Sequence, residues 1–86
     1  MAERRKISKA ERKERDALMR VLNWVNVLVI RRLFDDGWTN EQVALAFGQI
    51  QREAGNRALA HAQPGWQYVD ENKLADEVYV AVKEGQ

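Results

Sequence analysis

Two hydroxyls and one imidazole are the side chains here that most readily suggest covalent chemistry. Ser8 is the single serine, Thr39 the single threonine and His61 the single histidine. A hydroxyl nucleophile needs a general base within hydrogen-bond reach and a third group to orient that base. His61 is expected in a loop between Ala60 and Ala62, far in sequence from both hydroxyls. Each hydroxyl also has another use. Ser8-Lys-Ala-Glu11 and Thr39-Asn-Glu-Gln42 have the form of capping boxes, in which a hydroxyl and an acid or amide three residues on satisfy free backbone N–H groups. Cysteine is absent, which removes thiolates, disulfides and the common His/Cys zinc sites. Gly48 and Gly55 fit no phosphate-binding loop spacing. The chain therefore reads as a binding protein and not an enzyme, with no metal and no cofactor.

Charge points to candidate contacts. Residues 1–20 hold eight Lys/Arg against four Asp/Glu, net +4, and residues 21–86 hold six against nine, net −3. Arg4, Arg5 and Lys6 form a basic arm, and Lys9, Lys13 and Arg20 share one side of the helix expected to follow. Such a stripe suits a phosphate backbone, with salt-sensitive affinity, or an acidic protein surface. It equally suits a solvated helix whose charge is offset by Glu11, Glu14 and Asp16. Two carboxylate pairs stand out. Asp70-Glu71 fits the positive start of a helix, whereas Asp35-Asp36 falls at a helix end, where negative charge is unfavourable. That misfit makes Asp35 and Asp36 candidates for a partner contact or for complementing the start of the next helix.

These residues need elements to place them, and the punctuation predicts three helices. No Gly or Pro occurs between Ser8 and Asp36, and Gly37 stands where a left-handed helix end belongs. A helix of 28 residues would be about 42 Å long. Its first half carries acid-to-base pairs four apart, Glu11–Arg15 and Asp16–Arg20. In its second half Leu18, Leu22, Val25, Val29 and Leu33 form a stripe, widened by Val21 and Leu28. Thr39 opens a second helix with Val43, Phe47, Ile50 and Ala54 on its buried side and Trp38 as a staple against Val43. Gln63-Pro64-Gly65-Trp66 fits a type II turn. Asp70 caps a third helix carrying Leu74, Val78, Ala81 and Val82, although Val78–Val82 also has strand propensity and could pair with Trp66–Val69.

The long helix has a second apolar side. Val27, Ile30 and Phe34 fall opposite the stripe at about 100° per residue, with Trp24 near them. A helix apolar on two sides is covered on both, and tryptophan is a favoured interface anchor. Trp24, Val27, Ile30 and Phe34, with Asp35 and Asp36, are thus the expected protein interface. Asn23 and Asn26 flank Trp24, and buried asparagines can select one register or oligomeric state.

Val43, Ala44, Phe47 and Gly48 resemble the helix-turn-helix pattern of an apolar residue, a small one, another apolar residue and a turn glycine. That resemblance covers residues 40–59 and implies a DNA-reading helix presenting Gln51, Arg52, Asn56 and Arg57. Gln49 and Arg57 occupy positions where the motif has packed apolar residues. An uninterrupted second helix accounts for the same segment.

The expected architecture is all-α: a three-helix arrangement with a long N-terminal helix packed by two shorter helices. Residues 1–7 are expected to be a mobile basic arm and 8–86 a single helical domain. The favoured partner is another protein or a second copy of the chain, with nucleic acid as the alternative. The longest apolar run, Val21–Ile30, is ten residues interrupted by Asn23 and Asn26. It is half what a membrane span needs, and no secretory leader is evident. A cytoplasmic protein with no membrane partner is expected.

Overall fold

The computed structural model describes residues 6–85. Three α-helices, α1 (Lys9–Asp35), α2 (Asn40–His61) and α3 (Glu71–Glu84), follow in order, with a short 3₁₀ turn, Trp66–Tyr68, before the last. No strand occurs among the described residues, and Val78–Val82 is helical. Arg4 and Arg5 of the basic arm lie outside the described residues, while Lys6 is exposed.

The helices begin where the sequence punctuates them. Ser8 Oγ accepts from the Glu11 N–H at 3.1 Å, and Asp70 Oδ1 from the Lys73 N–H at 3.1 Å. At Thr39 the box is complete. Its hydroxyl accepts from Gln42 N–H at 3.1 Å, and its own N–H donates to Gln42 Oε1 at 2.8 Å. Each such cap is worth about 0.5–2 kcal/mol.

Helix α1 stops by reversal at Gly37, whose φ is +91°. The Trp38 N–H reaches back to Leu33 C=O at 3.0 Å and the Gly37 N–H to Phe34 C=O at 2.9 Å. Those two bonds make a Schellman motif, and Trp38 packs against the core beside it.

Between α2 and α3 the chain departs from expectation. The hydrogen-bonded turn runs from Ala62 C=O to Gly65 N–H at 2.9 Å, so Pro64 and Gly65 are not its central pair. Gly65 has φ +139° and ψ +148°, an extended glycine conformation rather than the φ near +80°, ψ near 0° of a type II turn. The Trp66 N–H then donates to Glu14 Oε2 at 3.2 Å, tying this connector to the first half of α1.

Fourteen apolar residues are buried, and no polar or charged residue among those described is. In α1 they are Ala17, Val21, Val25, Val29 and Leu33. Each step of four residues advances about 40° around a helix of 3.6 residues per turn, so the buried line winds as it climbs. That winding lets α1 meet both other helices, and it leaves Leu18, Leu22 and Leu28 half-buried at its edges.

Helix α2 contributes Val43, Ala46, Ile50, Ala54 and Ala58, and α3 contributes Leu74, Ala75, Val78 and Val82. Phe47, expected inside, is exposed, because Ala46 takes the inward position one residue earlier. Alanine on three of the five inward positions of α2 allows close helix approach.

Helix α2 is continuous through both of its glycines, and among the described residues positive φ is confined to Gly37 and Gly65. The turn that a helix-turn-helix requires at Gly48 is not there. A Cβ added at Gly48 or Gly55 would meet no atom within 4 Å. Each glycine therefore costs the helix about 1 kcal/mol relative to alanine with no close packing inside the chain to account for it.

Candidate interaction surface

One side of α1 is committed to the core, and Trp24, Val27 and Phe34 on its other side are 42%, 37% and 42% exposed. Together with Arg31 they fall at 24, 27, 31 and 34. This alternation of three and four residues is that of the seam between two packed helices. The Arg31 guanidinium carbon lies 5.7 Å from the Trp24 ring centroid, within reach of a cation–π contact. One turn toward the N-terminus Arg20 lies 3.5 Å from Glu71 on α3, and Arg20, Asn23, Trp24 and Glu71 line a shallow depression there. Lys13 and Lys9 extend the basic edge and are exposed.

One expected member of this face has moved. Ile30 is half-buried and packs against the core, because the winding buried line has turned toward it where Leu33 goes inside. Asn26 is half-buried with its Oδ1 unpaired among the described residues, while Asn23 faces outward.

Asp36 is occupied within the chain. Its Oδ2 accepts from the Tyr79 hydroxyl and, at 3.1 Å, from Lys83 Nζ. Beside it Arg32 pairs with Asp76, its guanidinium carbon 4.0 Å from the Tyr79 ring centroid. The carboxylate that was unfavourable at the end of α1 is thereby matched by the basic last turn of α3, and Asp36 docks α3 on α1. Asp35 remains exposed.

The Tyr79 hydroxyl bond and then the Lys83 ammonium hold the Asp36 carboxyl below the ordinary carboxylate range. The same bonds to Asp36 push Tyr79 and Lys83 upward. A depressed carboxylate stabilises the fold above its unfolded pKa, and that contribution is lost as pH falls through the folded one. The raised groups contribute below their unfolded values, lost as pH rises through the folded ones. The melting temperature of the wild type should thus drop below about pH 4 and again above about pH 10. Asp36→Asn should lower it at neutral pH and flatten both flanks, which circular dichroism melts across pH will read. Unchanged flanks would show that this cluster contributes nothing to pH stability.

His61 is the last residue of α2, not a loop residue, and its Nε2 lies 3.0 Å from both carboxylate oxygens of Glu77 on α3. Neither Ser8 nor Thr39 serves the pair, since both hydroxyls cap helices. Among the described residues no group of His, Cys, Asp and Glu is arranged to hold a metal ion.

The residues named for the DNA-reading alternative do not share a face. Gln51, Arg52 and Asn56 are exposed, but Arg57 turns toward α3, pairs with Glu53 at 3.0 Å and borders Asp76, Glu77 and Val80.

No family model, curated protein or solved structure matches this chain.

Sequence reasoning missed Tyr79, Lys83, Glu77 and Glu14 as cross-helix ties. A signal existed for the first two: an acid at the end of α1 calls for a donor, and Lys83 sits in the last turn of a helix that must lie near. Nothing local marked Glu14, whose partner is a backbone N–H 52 residues away.

Proposed function

We propose that this chain is a non-enzymatic protein-interaction module whose working surface is the outward side of α1. The observation that carries this reading is the seam of Trp24, Val27, Arg31 and Phe34, apolar, basic and at helix-pairing spacing, on a helix whose other side is already buried. Its chemistry suits an amphipathic partner segment with acidic residues placed to meet Arg31 and Arg20, the basic edge at Lys13 and Lys9 adding salt-sensitive steering. A cysteine-free chain is compatible with a reducing cytoplasm, where this reading places it. No helix among the described residues is long and apolar enough to cross a membrane.

A second reading, nucleic-acid binding, draws on one feature. The first two turns of α1 precede its first buried residue, Ala17, and present Lys9, Arg12, Lys13 and Arg15 to solvent. Glu11, Glu14 and Asp16 lie among them, which favours the protein reading.

Affinity capture from the native cell separates the two. The wild type should retain a protein that Trp24→Ala and Phe34→Asp lose by at least about tenfold, as hot-spot anchors do. Both variants should keep the wild-type helical content. Leu59→Asp, on another face, should retain the partner. Capture undiminished in Phe34→Asp, or tight binding of a mixed-sequence duplex at moderate salt, would remove the support for this function.

A further inference from the structure

The outward side of α2 carries a second seam that the reading above does not use. Glu41, Leu45, Gly48, Arg52, Gly55 and Leu59 follow one another by four, three, four, three and four residues, the heptad alternation over the length of the helix. Leu45 is 87% and Leu59 64% exposed. Ala44, Gln51 and Asn56 flank the line. In a chain that is 31% charged, only Glu41 and Arg52 on this seam carry charge. Neither joins an ion pair among the described residues. The glycines are the second peculiarity. Glycine is the poorest helix former after proline, and no atom of the chain approaches where a methyl would stand at 48 or 55. A backbone left bare on an outward seam fits close approach by another helix.

We propose that this seam pairs with the α2 helix of a second copy, antiparallel, about a two-fold axis between positions 46 and 47. Charge complementarity selects both occupant and direction. In a parallel pair Arg52 would face Arg52 and Glu41 would face Glu41. In the antiparallel pair about that axis Arg52 faces Glu41 of the second copy, and Glu41 faces Arg52. Leu45 then lies over Gly48 of the second copy, a large side chain on the bare backbone, and the reverse. The contact is self-complementary, as a closed two-fold interface requires. About that axis the two helices overlap over residues 40–53, a strip about 21 Å long and about 10 Å wide, and Gly55 and Leu59 lie beyond the end of the facing helix. That is small beside the about 800 Å² per partner of a standard interface, so weak association, with a dissociation constant of about 100 μM or above, is expected.

The inference rests on α2 alone, and its test involves neither α1 nor any outside partner. Sedimentation equilibrium of the full chain, from about 10 μM to about 1 mM, should show monomer passing to dimer. Glu41→Arg and Arg52→Glu should each weaken the dimer at least about tenfold, and the double swap should restore it to within about threefold. Gly48→Ala should raise the melting temperature while weakening the dimer at least about tenfold. This pairing of gain and loss cannot come from a misfolded variant. Monomer at every concentration, a dimer insensitive to Glu41→Arg and Gly48→Ala, or a double swap that fails to restore association would each overturn the proposal.

Discussion

Leu33→Ala should cost about 2–5 kcal/mol of stability, while Phe34→Ala, at the next position, should cost less than about 1 kcal/mol. Leu33 is fully buried, and Trp38, whose N–H bonds its carbonyl in the reversal at Gly37, packs on the same core. Truncating it opens a cavity where α1 meets the turn into α2, and a core of fourteen residues dominated by valine and alanine has little with which to refill it. A domain of this size is stabilised by about 4–13 kcal/mol, so this variant should lose a large share of its stability. Phe34 has more apolar surface than Leu33 but keeps much of it in water, so its loss leaves the monomer nearly untouched. Urea denaturation of the two variants reads both numbers. Equal losses would mean that the two sides of α1 are not divided between core and surface as described.

That division was only partly legible in the sequence. Helix starts were plain, because a capping residue and its partner lie three positions apart and need no tertiary information: Ser8, Thr39 and Asp70 all cap as read. The stop at Gly37 was equally local. Which apolar residues go inside was harder. A wheel at fixed angle draws a straight stripe and so favoured Leu18 and Leu22. The buried line instead climbs in steps of four through Ala17 and Val21, because α1 crosses two helices rather than lying along one. Alanine gives a weak hydrophobic signal, which is why Ala46 was passed over and Phe47 placed inside. Ile30 followed from the same straight-stripe error. The outward residues Trp24, Val27 and Phe34 were legible because they lie well away from the buried line whatever its winding.

Cross-helix ties were the least legible. Asp36 was marked by its unfavourable place at a helix end, but its donors Tyr79 and Lys83 lie 43 and 47 residues on. Their arrival depends on how α3 docks, which is a property of the packed core. The likeness to a helix-turn-helix rested on Gly48 as a turn residue. In the structure the flanking segments have enough helical content, and enough inward contacts at Ala46, Ile50 and Ala54, to carry the helix across it.

Thiol labelling tests most directly the proposal that one side of α1 is core and the other takes a partner, because the chain has no cysteine of its own. Val27→Cys and Val29→Cys make the same chemical change two positions apart on one helix. Val29 is fully buried and Val27 is 37% exposed. The cysteine at 29 should react only through opening of the fold, slower than a free thiol by about a thousandfold or more, while that at 27 should react at close to the free rate. Adding the captured partner should protect position 27 and leave 29 unchanged. Equal labelling of the two positions, or a partner that leaves position 27 fully reactive, would contradict the assignment of this side of α1 to a partner.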